Sequence, residues 1–288
     1  MNKKYRELIE EITLQNEKLV ANSMRGVYKT QKAELKALNA LLGELYIQYG
    51  VNGLLKLTTS QKAYIGVKTL LSKMTKTLGE DEVAKITSII SGTYLNTYYK
   101  TAFINDMGLK TSLKFNIAKK EFINAAINKK IEGETFSSRI WNNKVLLADN
   151  LQEHLTDAML GKKTLDQVAR EVKNTFNTTA YNSHRLVNTE SAKVQSQASI
   201  DIANDIGIEK HMWSATLDML TNSEDASFDG QLFDVNDDSV SIPNHPNCRC
   251  AWINEAYPGW SPTSRRDNQT KEVISYTNYS EWARNKGI

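Results

Sequence analysis

The sequence predicts a mainly α protein, with long helices followed by a small C-terminal α+β module of short antiparallel strands. Three observations predict it. All four prolines (Pro243, Pro246, Pro258 and Pro262) lie in residues 243–262, so the chain before them lacks the residue that most strongly breaks helices. Apolar residues over the first 206 positions recur at helical spacing. From residue 211 the texture changes to Trp, Ser and Thr runs, and an Asp-Gly pair precedes a short apolar run, a turn-then-strand signal. Three regions follow: a helical region over 1–134, the module with its entry helices over 135–257, and a tail over 258–288.

Each element has its own warrant. Tyr5, Leu8, Ile9, Ile12 and Leu19 give a first helical stripe, and Leu35, Leu38, Leu41, Leu42 and Leu45 a second that Gly50 can stop. Thr59 or Ser60 is placed to cap a helix running to Met74. The next, from Gly79 to Phe103, opens on acids that the helix dipole favours, and another covers 112–130. Ser137 or Ser138 can cap a helix ending near Gly161, and Thr164 one that runs to Phe176. The last long helix runs from Ala180 to Gly207. Strands are expected at 210–216, after Gly230 and at 251–257, with loop over 236–250. The tail starts as loop and ends in a short amphipathic stretch around Tyr276, Tyr279 and Trp282. Alone it is marginal as a helix, so it is expected to dock on this chain or a neighbour.

The chain's +3 net charge hides an asymmetry: residues 211–257 hold one basic residue, Arg249, against eight acidic ones, a net −7. Residues 258–288 carry +2, which leaves +8 for the first 210. Such a basic part suits nucleic acid or an acidic protein surface, or is simply a set of solvated helix faces. No stretch approaches the roughly 18 apolar residues of a membrane span, and the N-terminus lacks the apolar core of a signal peptide. Two cysteines make no disulfide framework, and a reducing compartment fits. No phosphate-binding glycine loop or dinucleotide motif occurs.

Both cysteines sit in Pro243–Cys250, "PNHPNCRC". His245, Cys248 and Cys250 are zinc-type ligands, but a tetrahedral site needs a fourth; Asp225 is the best candidate by position, with Asp229 behind it. The alternative is a proline-fixed turn with two small buried thiols, requiring no cofactor. Cys248 with His245 as base lacks an evident oxyanion hole, and the acids of 222–238 lack calcium-loop spacing. Arg185, Thr189 and Glu190 share a helix, where a pair such as Arg185–Glu190 serves as an internal clamp.

Taken in order, "FSSRIW", "HRLVNTESAKVQSQA", "MWSATLD", "FDGQLFDV" and "PNHPNCRC" resemble the Mu F-like phage head morphogenesis family of minor head, or minor capsid, proteins. The family's R-x-x-x-T-E helix, Trp strand, D-G turn and H-P-N-C-R-C fall on Arg185, Thr189, Glu190, Trp213, Asp218, Asp229, Gly230 and His245 to Cys250. The resemblance covers roughly residues 135–253 and implies a structural role without enzymatic activity. It places the protein in the virion head, near the portal or inside the capsid, after assembly in the host cytoplasm. Implied partners are portal protein, major capsid or scaffolding protein and packaged double-stranded DNA, bound nonspecifically, with no membrane. Many relatives carry Cys or His just before the D-G turn, where this chain has Asn222 and Asp225. A toxin domain fused in some relatives is not expected in the residues that follow. The competing class is a metal-dependent enzyme or effector delivered with the phage genome, using His245, Cys248 and Cys250.

Overall fold

The computed structural model describes residues 2–109, 117–255 and 259–287. It is mainly helical, with small antiparallel sheets toward the C-terminus. In order the elements are α1 (Asn2–Tyr49), β1 (Gly50–Val51), β2 (Leu54–Leu55), α2 (Thr59–Ile65), α3 (Val67–Leu109), α4 (Lys120–Asn128), α5 (Phe136–Met159) and α6 (Leu165–Ile206). Then come β3 (Lys210–Ser214), α7 (Ser223–Phe228), β4 (Leu232–Asp234), β5 (Ala251–Asn254), β6 (Ser264–Arg266), β7 (Val273–Ser275) and α8 (Tyr279–Lys286). No helix among the described residues is long and apolar enough to cross a membrane.

Several helices are longer than the sequence spacing predicts. The stripes expected near 5–19 and 32–50 belong to one 48-residue helix, and those of 164–176 and 180–207 to one of 42 residues. In the polar middle of α6, Thr178 and Thr179 return their hydroxyls to the carbonyls of Asn174 and Thr175, at 3.2 and 3.0 Å, so these side chains are satisfied within the helix. The break expected between Met74 and Gly79 falls instead at Gly66, whose φ of 57° ends α2 in the left-handed conformation. Gly79 stays inside α3 for a packing reason: a β-carbon there would collide with the Trp141 ring. The cap of α2 is Thr58, through a capping box with Gln61, and that of α5 is Thr135, each just before the serines and threonines expected. Thr164 caps α6 as expected, its Oγ1 accepting from Gln167 N while Gln167 Oε1 accepts from Thr164 N at 2.9 Å. The start of the helix expected over 112–130 lies outside the described residues up to 116; α4 begins at Lys120.

The chain forms two compact units, and neither is one stretch: 22–87 with 130–186, and 1–21 with 88–129 and 187–288. These units cut across the chain-order regions 1–134, 135–257 and 258–288. The first has a leucine-rich core in which Leu42, Leu71, Leu78, Leu147, Leu151 and Val172 pack. A buried ion pair lies within the same unit: Lys144 Nζ meets Glu82 Oε2 at 2.6 Å, with both side chains 1% exposed. The β1–β2 hairpin turns on Asn52-Gly53, both at positive φ, the two-residue loop whose twist suits a hairpin.

In the second unit, β3 is the centre of a three-stranded sheet ordered β4-β3-β5, antiparallel throughout, with Trp213 opposite Trp252. The core here is aromatic. Trp213 meets Trp252 edge-on at 5.1 Å and tilts against Phe228 at 5.2 Å, while the thiols of Cys248 and Cys250 pack in the same cluster. Trp252 Nε1 donates to Ser196 on α6 and Asn254 Nδ2 to Ser199 O, which fixes the sheet to that helix. The tail docks on its own chain: β6 and β7 pair, and Trp282 of α8 is buried, its Nε1 donating to Asp267 at 3.0 Å.

Candidate functional site

The turn that carries both cysteines is built from three local choices. Cys248 N donates to His245 O at 3.1 Å and closes it. Asn247 adopts a left-handed φ of 61°, which Asn tolerates better than most residues. Its N–H then points at α6 and donates to Thr189 Oγ1 at 3.0 Å, while Asn188 Nδ2 donates to Asn247 Oδ1 at 3.3 Å. Thr189 therefore acts as the socket for the turn, a role its place in the helix motif does not reveal.

The short helix α7 supplies the acid. Asn222 caps it by accepting from Asp225 N at 2.7 Å, which aims the buried Asp225 carboxylate at the turn. Asp225 Oδ2 lies 2.7 Å from His245 Nε2 and 3.9 Å from Cys248 Sγ. His245 Nδ1 faces Pro246 O at 2.9 Å. Both ring nitrogens thus face oxygen acceptors, and only the imidazolium can donate to both. Partial burial works against that charge, but the bonds to Asp225 and Pro246 O outweigh it and raise the His245 pKa. The Cys250 thiol hydrogen-bonds Cys248 and, against burial, draws the Cys248 pKa down to about 7; the same bond and burial push Cys250 up. Both cysteines are free thiols.

The ligand atoms of Asp225, His245 and Cys248 lie within 4.8 Å of one another, and Cys250 stands against Cys248. One nitrogen, one carboxylate oxygen and two sulfurs make a donor set that suits zinc. Asp225, the acid that the sequence offers as a further ligand, faces His245 and Cys248, whereas Asp229 lies outside this group.

Asp229 has a different task. Arg265, 2% exposed in its side chain, forks onto it at 2.5 and 3.2 Å and also donates to Ala215 O and Thr277 O. Asp229 further accepts from Ala215 N at 2.8 Å and Tyr279 N at 2.7 Å. Gly230 follows at a φ of 85°, its N–H donating to Trp213 O, and a β-carbon there would stand 2.7 Å from Tyr276 Oη.

Glu190 is fully buried and pairs with Lys193, one turn on. Lys193 Nζ also donates to the carbonyls of Ile127 and Lys129 at 3.1 and 2.7 Å, capping the C-terminal end of α4. Arg185 stands on an exposed face of α6. Lys193 is a buried partner of Glu190, at the i+3 spacing that could have signalled it. Arg265 and His211 also escaped the sequence reading. His211 is 1% exposed and stacks on Trp252 at 3.7 Å, and burial lowers its pKa to about 4.

Residues 149–253 match the family described as Phage Mu protein F like protein. The chain is 24% identical over 305 aligned positions to the minor head protein GP7 of Bacillus phage SPP1, covering 96% of this chain and 97% of that one. It is 26% identical over 203 residues to a protein of Enterococcus faecalis named NAD(+)–arginine ADP-ribosyltransferase EFV, covering 64% of this chain but 41% of that protein. An uncharacterized protein of Haemophilus influenzae is 29% identical over 108 residues, 36% of this chain and 24% of that one. The chain thus spans less than half the length of two of these three relatives. No solved structure matches it.

Proposed function

We propose that this chain, which belongs to the Mu F-like phage head morphogenesis family through residues 149–253, is a structural minor head protein placed at the portal vertex or capsid interior. The observation that carries this reading is the alignment with the minor head protein of SPP1 over nearly the whole of both chains. The site geometry supports a structural role: Thr189, Glu190, Trp213, Asp229 and Gly230 are all engaged in fixing the module to itself and to α6. Its partners would be portal protein and major capsid or scaffolding protein, assembled in the host cytoplasm. The basic charge of the first 210 residues fits nonspecific contact with packaged DNA, which weakens steeply as salt rises. Co-expression with portal protein, followed by affinity capture and imaging of procapsids, tests the placement. Density at the vertex or inner wall is expected, and its absence from both sinks the reading. Retention on nonspecific duplex that is indifferent to salt sinks the DNA contact.

The ligand geometry favours a second reading of the turn. Asp225, His245, Cys248 and Cys250 would hold one zinc ion, and the ion would supply a structural cross-link between α7 and the turn. With Cys250 as the fourth ligand, no position would stay open for a substrate, and the ion would serve the fold and not catalysis. Elemental analysis of protein purified without chelator is expected to give one zinc per chain, lost in Cys248→Ser together with thermal stability. Metal-free protein of unchanged stability rejects it.

A further inference from the structure

A cleft of about 150 Å³ opens in the compact unit that holds the sheet. Its walls come from α1, the segment after β3, the Arg249 strand entry and the β6–β7 hairpin. Arg249, Arg266 and Lys271 line it, with two carboxylates, Glu17 and Asp218. Arg265 also reaches the wall but is engaged by Asp229. Three cations against two anions thus converge beside the most acidic stretch of the chain, where charge alone predicts the reverse.

The cations are held ready. Arg249 is locked by a fork onto Asp218 at 2.5 and 2.7 Å, so its guanidinium is oriented before any ligand arrives. Lys271 sits in a left-handed backbone conformation, φ 66°, imposed by the turn in which its N–H donates to Asp267 O at 2.8 Å. Its ammonium makes no ion pair among the described residues. Strained backbone of this kind persists where the position of a side chain matters. Glu17 faces all three cations: enclosure raises its pKa, while Arg249, Lys271 and Arg266 pull it down. Asn268 adds a neutral side-chain amide to the wall, while the Thr216 hydroxyl donates to Arg249 O at 3.0 Å.

We infer that this cleft binds a single phosphate group, carried by a mononucleotide or by the backbone of a nucleic acid, with Glu17 as the internal competitor for the same cations. A fixed guanidinium beside an ammonium is the pairing that recognises a tetrahedral oxyanion. The volume accommodates one such group with the atoms next to it, not a strand. This goes beyond the head-assembly reading and does not depend on it.

Calorimetric titration of the full chain with inorganic phosphate, a nucleoside monophosphate and a short duplex, at one ionic strength, tests it. Saturable one-to-one binding of inorganic phosphate is expected. Lys271→Asn, which suits the positive φ while removing the charge, weakens it about tenfold, and Glu17→Gln strengthens it several-fold. Lys271 is exposed and Glu17 lines the cleft, and melting curves confirm that the variants fold. Tighter binding of the monophosphate assigns the site to a free nucleotide, and tighter binding of the duplex assigns it to nucleic acid. Absence of saturation at tens of millimolar phosphate overturns the inference. So does phosphate binding that both substitutions leave unchanged, or a glutamate-rich peptide that binds where phosphate does not.

Discussion

Replacing Arg265 with Met removes four hydrogen bonds at once: two to Asp229 and one each to the carbonyls of Ala215 and Thr277. It also leaves a buried carboxylate without its counter-charge. Breaking a buried pair from one side costs about 3–5 kcal/mol. Asp229 keeps two backbone donors, Ala215 N and Tyr279 N, so the lower end applies, about 3 kcal/mol. Arg265→Lys restores the charge but not the fork, and recovers only part of the loss. The double variant Arg265→Met with Asp229→Asn leaves no stranded charge, and its cost falls below the sum of the two single changes by about 1–3 kcal/mol. Urea unfolding followed by tryptophan fluorescence is the assay. Four of the five tryptophans (Trp213, Trp252, Trp260 and Trp282) belong to the compact unit that contains the pair, so the signal reports that unit. A single variant within 0.5 kcal/mol of the parent, as surface substitutions usually are, or strictly additive costs, would falsify the claim that this pair ties the tail to the module.

Three further outcomes follow from the same geometry. His211 titrates near 6.5 when unfolded and about 4 when folded, so its contribution to stability is present above pH 6.5 and is lost as pH falls toward 4, by up to about 3 kcal/mol; the difference between the parent and His211→Phe in chemical denaturation across that window measures it. Gly230→Ala forces a β-carbon into positive φ and against Tyr276 Oη, costing about 1–3 kcal/mol, and Tyr276→Phe in the same chain recovers the steric part but not the backbone part. Thr189→Val leaves the Asn247 N–H without its acceptor, and thermal melting is expected to show a loss of about 1–3 kcal/mol; an unchanged melting temperature argues against Thr189 as the socket.

Helix content was legible because the apolar stripes and the absence of proline before residue 243 are local facts, and Thr164 and Gly207 mark their termini at the expected places. Continuity was not legible. Gly79 reads as a break at the level of pattern, yet a single glycine costs a helix only about 1 kcal/mol, and the Trp141 ring fills the space it leaves. Asn52-Gly53 is a hairpin signal, but the two-residue strands beside it are too short to show alternation in the sequence. At the site, the cluster of Asp225, His245 and Cys248 was readable from ligand types and position. The partner of Asp229 was not: Arg265 lies 36 residues away in a stretch that reads as loop, and only the fold brings them together. Around Glu190, an exposed Arg185 and a buried Lys193 look alike in sequence, since charge says nothing of which helix face is covered.

Because α1, α3 and α6 each lend one portion to one compact unit and the remainder to the other, no contiguous gene fragment encodes either unit whole. Recombination that exchanged one compact unit for another would have to cut these helices in mid-span. Exchange between lineages should therefore tolerate breakpoints in the loops between these helices better than breakpoints within them.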